Sequence, residues 1–200
     1  MPSPIGHALG ALAAGWAVLP PSHAGRAGTA GAAPGRRGEL RRAALVVAVA
    51  LLPDLDLLLG AHSQWTHSAG AVAIVFLVAW LAGRRRHPRF AAALALAYAT
   101  HPLLDWLGQD GTPPYGVMAG WPLTERYVHS GADLFTGISR RYWLPGFVAH
   151  NLAAIAREVV LLGPLALAAW GWQRLRQRRA RAARFLPPAR HAAREGESLD

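Results

Sequence analysis

The chain has no cysteine among its 200 residues, which excludes disulfides and thiolate metal ligands alike. Any metal it holds must therefore sit on His, Asp, Glu or backbone oxygen. Lysine is absent too: all 21 basic residues are Arg. Charged residues are scarce at 16%, against 52% apolar. Many of the apolar residues are Ala, so the mean hydropathy is only +0.18. No internal repeat is evident, and no basic residue precedes Arg26. The second absence matters because Ile5–Leu19 followed by Ser22, His23 and Ala24 loosely resembles a secretory leader. A leader needs a basic n-region, so the first apolar stretch is read as a retained helix.

Five apolar stretches read as helices, roughly Ile5–Leu19, Ala43–Gly60, Ala69–Gly83, Phe90–Gly108 and Leu152–Trp172. A spanning helix takes about 20 residues, so several are short and must tilt, thin the bilayer or dip in partway. The fold class expected is all-α, a multi-pass membrane helical bundle with about five membrane-embedded helices. Residues 1–172 form the membrane-embedded domain and residues 173–200 an Arg-rich cytoplasmic tail that is helical at its start.

The net charge of +10 raises nucleic acid as a partner. The basic clusters lie beside hydrophobic segments rather than on a soluble scaffold, however, so a membrane surface is the better match. Arg26, Arg36, Arg37, Arg41 and Arg42 lie between the first two helices, and Arg84, Arg85, Arg86 and Arg89 between the third and fourth. Eight more, from Arg174 to Arg194, follow the fifth, so that five spans put 17 of the 21 Arg on one side. By the positive-inside rule that side is cytoplasmic and the N-terminus lies outside. Losing one helix would scatter the clusters over both faces.

On this topology the other face collects six of the nine His and six of the eleven acids. They are His7, His62, His67, His101, His129 and His150, with Asp54, Asp56, Asp105, Asp110, Glu125 and Asp133. An Asp at the centre of a membrane helix costs about 2.5–3.5 kcal/mol, so several together imply mutual compensation, which a cation supplies. His101 and Asp105 are the sharpest pair. At i and i+4 they share a helix face with Cβ atoms about 5–6 Å apart, close enough for one ion at about 2.0–2.2 Å from each donor. In a soluble helix this spacing usually marks a surface pair, but here it sits in an apolar run. His129 and Asp133 repeat the spacing in the long loop, and His129, His62 and His150 are individually better read as structural. Asp54 and Asp56 would point to different sides of a regular helix. Either one ligates and the other supports it, or Pro53 disturbs the helix. Donors of oxygen and nitrogen suit zinc, manganese or iron.

Taken in order, several pieces resemble one family. They are Ser3-Pro-Ile-Gly-His7, Leu52-Pro-Asp-Leu-Asp56, Trp65-Thr-His-Ser68, His101-Pro-Leu-Leu-Asp105, Pro114-Tyr-Gly-Val117 and Trp121-Pro-Leu-Thr124. The set resembles the YdjM family of inner-membrane proteins, described as metal-dependent hydrolases. The order of ligand types also looks like that of zinc-dependent phospholipase C and related nucleases. The resemblance implies that His7, Asp54, His67, His101 and Asp105 bind a divalent metal, with zinc the first expectation. Asp56 or His62 would then serve as general base or as a support for the ligands, and Trp121 and Pro122 would shape a lid. The stretch His62-Ser-Gln-Trp-Thr-His67 departs from the family's pattern, and the match weakens after Thr124.

The function expected is a plasma-membrane, metal-dependent hydrolase acting on a phosphoester or other lipid-like or small-molecule substrate at the extracytoplasmic face. Membrane lipids are the expected partners. The alternative is a non-enzymatic membrane protein, an ion- or proton-coupled transporter or a scaffold. A transporter places its polar groups near the helix midpoints, whereas here they crowd at one end.

Overall fold

Five α-helices account for most of the chain, in a computed structural model that describes residues 1–19, 36–59, 63–111 and 113–185. They are α1 (Pro4–Val18), α2 (Arg36–Leu51), α3 (Ala69–Ala82), α4 (Pro88–Leu107) and α5 (Phe147–Phe185). Helix α1 starts where Ser3 accepts from Gly6 N and a proline occupies the first turn. Helix α3 starts likewise on Ser68, which accepts from Ala71 N.

The second apolar stretch departs from expectation. Helix α2 begins at Arg36 and stops at Leu51, and Leu52–Leu59 continue as a 3-10 helix. Pro53 lacks an N–H to continue the α ladder, and the tighter winding re-aims Asp54 and Asp56. A second 3-10 turn, Trp65–His67, leads into α3. At the other end α5 runs through Trp172 to Phe185, so the basic tail begins as a continuation of the helix. Arg and Ala, abundant there, are strong helix formers.

Helices α1 and α4 form the centre: α1 packs on α2, α4 and α5, and α4 packs also on α2 and α3. Small side chains let them approach. Ala11, Ala50, Ala93 and Ala97 are buried in one cluster with Leu19, Val46 and Leu94. A Cβ on Gly10 would come within 2.8 Å of Leu104 Cδ1, so a larger residue there would push the Leu104 side chain aside where α1 crosses α4.

One end of the bundle is tied by arginines. Arg174 of α5 forms a bidentate pair with Glu39 of α2, at 3.1 and 2.8 Å, and Arg176 donates to Ala17 O of α1 at 3.1 Å. The opposite end is capped by the long loop before α5. Ala69 N and Gly70 N donate to Ala119 O and Trp121 O, Gln109 N donates to Phe135 O, and Ile138 N donates to Met1 O. Among the described residues, only isolated bridges of extended backbone occur there, Gly108 with Phe135 and Val117 with Val128.

The outside of the bundle is apolar. Helix α3 buries none of its residues, and Ile74, Leu77, Val78 and Leu81 are exposed along it. Val160, Leu165 and Leu167 of α5 are exposed as well. Among the described residues α5, over Phe147–Ala180, is the one helix long and apolar enough to cross a membrane by itself. Pro4–Val18 and Ala69–Ala82 are apolar but shorter. At 1.5 Å per residue they reach about 20–23 Å against a hydrocarbon core of about 30 Å.

Candidate metal centre

Four elements deliver side chains to one point at the capped end. Helix α1 brings His7, the 3-10 helix after α2 brings Asp54 and Asp56, the turn before α3 brings His67, and α4 brings His101 and Asp105. All five residues that the resemblance nominates as ligands are in this cluster. Asp105 is its hub: Oδ1 lies 3.4 Å from His7 Nε2, and Oδ2 lies 3.3 Å from His67 Nε2 and 3.4 Å from His101 Nε2. His101 Nε2 is also 3.4 Å from Asp54 Oδ1. The rings of His7 and His101 stack, and His67 stands edge-on to His101 with centroids 5.0 Å apart.

These residues are enclosed. His7, His67, His101 and Asp105 are buried, and only Asp54 keeps about a third of its side chain, 29%, open to solvent. Yet among the described residues both ring nitrogens of His7, Nε2 of His101 and both oxygens of Asp105 make no hydrogen bond. Buried polar atoms are rarely left so, and here they face one another. The donor set His7, His101 and Asp105, and a second set Asp54, His67 and His101, each offers ligand atoms within 4.8 Å of one another. Donors about 2.0–2.2 Å from a tetrahedral ion stand about 3.3–3.6 Å apart. The separations of 3.3–3.4 Å around Asp105 match that spacing better than they match good hydrogen bonds. The residues therefore fit a divalent cation with nitrogen and oxygen ligands.

A surrounding layer fixes the donors. His101 Nδ1 donates to Ala50 O at 2.8 Å, which turns Nε2 inward. Thr66 Oγ1 donates to Asp56 Oδ2 at 2.8 Å, and Asp56 Oδ2 lies 3.2 Å from His67 Nδ1. Asp56 thus stands behind His67, on the side away from Asp105. Burial works against charging His67, but Asp105 and Asp56 outweigh it and raise its pKa to about 9.

The other candidates lie apart. His129 Nε2 donates to Gly108 O at 3.0 Å and sits 3.8 Å from Asp133 in the exposed loop. His150 Nε2 donates to Gly137 O at 2.9 Å. His62 lies outside the described residues. Trp121 packs on Gly70 at the start of α3.

Sequence reading passed over Glu158. It is fully buried in α5 and accepts from Ser3 N at 2.6 Å and from Ser3 Oγ. Because Ser3 also caps α1, Glu158 pins the helix that carries His7. The signal for it was a carboxylate inside an apolar run, costly unless partnered.

A cavity of about 930 Å³ opens beside the centre, lined in part by Asp54, Leu57, Ile138, Arg140, Arg141 and Phe147. Of the five nominated ligands only Asp54 borders it, and neither Trp121 nor Pro122 does.

No curated protein and no solved structure matches the chain. A family described as YdjM inner membrane protein matches residues 1–185, so the chain belongs to the YdjM family of inner membrane proteins.

Proposed function

We propose that the protein is a membrane-embedded, metal-dependent hydrolase acting on a phosphoester at the extracytoplasmic face, with zinc as its ion. The observation that carries this reading is the convergence of buried nitrogen and oxygen atoms of His7, His101 and Asp105 that make no hydrogen bond. His67 and Asp54 would complete the ligand set. An ion held there would supply an acidified water and polarise the scissile group. Asp105 balances positive charge where no solvent reaches. Asp56 and Thr66 hold the His67 ring with Nε2 toward the centre, and Ala50 O does the same for His101. Asp54 borders both the centre and the cavity, so an ion that it helps to hold would lie within reach of a substrate in that cavity.

Five helices embedded in the bilayer, N-terminus outside, are part of the same proposal. The exposed apolar faces of α3 and α5 support it, since large apolar patches mark contact surfaces. Arg174 and Arg176 sit at the end opposite the His–Asp cluster, as the arginine distribution requires. A proton or ion relay is less well supported, because the cluster meets a cavity at one end of the bundle.

Metal analysis of detergent-purified protein tests the proposal. Near-stoichiometric zinc or another divalent transition metal, together with hydrolysis from a phosphodiester and phospholipid panel, is the expected result. Protein that carries no metal, and takes none up when zinc is added, would overturn it.

A further inference from the structure

The cavity beside the centre has an uneven lining. It joins apolar side chains, Pro2, Leu57, Ile138, Leu144 and Phe147, with the guanidinium groups of Arg140 and Arg141. Neither guanidinium is paired with a carboxylate among the described residues. Two acids also border the space. Asp110 accepts from Gly116 N at 2.8 Å, and Asp54 is directed to His101. With a divalent ion taking up the charge of Asp54, the two guanidinium groups would outnumber the one remaining carboxylate, Asp110. A volume near 930 Å³ is at the upper end for small-molecule pockets.

The residues after Arg141 add a second observation. Tyr142 and Trp143 are 76% and 67% exposed, with rings edge to face at 5.0 Å. Exposed Tyr and Trp beside Arg belong at headgroup depth in a bilayer. The arginines would therefore stand where phosphate-bearing amphiphiles present their polar ends.

We propose that this cavity is the substrate pocket and that Arg140 and Arg141 bind the phosphate of a phosphoester whose apolar body lies along Leu57, Ile138, Leu144 and Phe147. The assignment rests on the hydrolase reading, which it deepens by naming the substrate's charge and amphiphilic character. Arginine suits the role because its planar fork meets phosphate oxygens in pairs. The same chemistry admits a lipid headgroup or a soluble phosphate ester.

The test uses the full chain in detergent, with two probes and metal content measured on every sample. Inorganic phosphate is titrated alone, and mixed micelles of phosphatidylcholine are compared with and without phosphatidic acid. Wild type and R126A, whose arginine does not line the cavity, should bind. R140A/R141A should bind about tenfold more weakly or worse while keeping its metal. R140Q/R141Q gives the same comparison should the alanine variant not purify. Arginine-dependent binding of phosphate alone supports the pocket with a soluble ester as ligand, and of phosphatidic acid alone with a lipid. Wild type that binds neither probe, or a double variant as tight as wild type, would overturn the assignment. Arginine-dependent binding in protein that takes up no metal would keep the pocket and remove the metal centre, so the two failures are distinct.

Discussion

His7 and His101 stack face to face, with ring centroids 3.6 Å apart and planes 8° from parallel. They come from helices 94 positions apart in the chain, α1 and α4, and each directs Nε2 at a different oxygen of Asp105. The two helices pack closely one turn further on, where Gly10 of α1 meets Leu104 of α4. His101→Ala and Asp105→Ala should each remove most of the bound metal, read by elemental analysis after size exclusion. His87→Ala, at the far end of α4, should leave metal content unchanged. Equal loss in H87A and H101A would place the centre wrongly.

Asp56 and Thr66 act on the centre through His67. Asp56→Asn and Thr66→Val should weaken metal affinity about 10–100-fold without abolishing it, the range for groups that orient a ligand. Competition with a chelator of known affinity measures the shift. A loss as severe as that of D105A would make Asp56 a ligand in its own right.

Glu158 holds Ser3 from the first third of α5. Glu158→Ala would leave the Ser3 N–H and hydroxyl buried without that partner, a loss of about 1–3 kcal/mol for each such group. The midpoint of thermal unfolding in detergent should fall by several degrees, and metal affinity should fall with it because α1 carries His7. Glu158→Gln keeps an acceptor and should recover part of both. A variant with unaltered unfolding would show that the N-terminal segment is held by other contacts.

These particulars show what the sequence discloses. His101 and Asp105 were legible because two ionisable groups one turn apart in an apolar run need a common partner. His129 and Asp133 have the same spacing and do not join the cluster, so spacing informs only where burial raises the stakes. Asp54 and Asp56 stayed ambiguous because their directions depend on how Pro53 ends α2, and only the 3-10 winding resolves that. Glu158 has no local companion: Ser3 is 155 positions away, and pairing over that distance follows from packing rather than pattern. The number of helices and the helical start of the basic tail were both legible in the sequence, while the unbroken join of that tail to the fifth apolar stretch was not, since its basic end is polar all round.

Protons compete with the metal at His67. Its pKa in the metal-free protein is raised to about 9 by Asp105 and Asp56 against burial. A group raised in the folded state stabilises the fold fully below its unfolded value of about 6.5, and that contribution fades as pH climbs through about 9. Metal-free protein should therefore lose thermal stability between pH 6.5 and 9.5. Metal binding needs the neutral ring, so the ion displaces a proton and its affinity should rise over the same interval. The metal-loaded and metal-free unfolding midpoints should diverge as pH increases. Titrating zinc at pH 7.5 in two buffers of different ionisation enthalpy should report about one proton released per ion at His67. Asp56→Asn removes one of the two carboxylates that raise the pKa and should reduce that release. If proton release were absent and the two midpoints ran parallel with pH, His67 would not be a ligand.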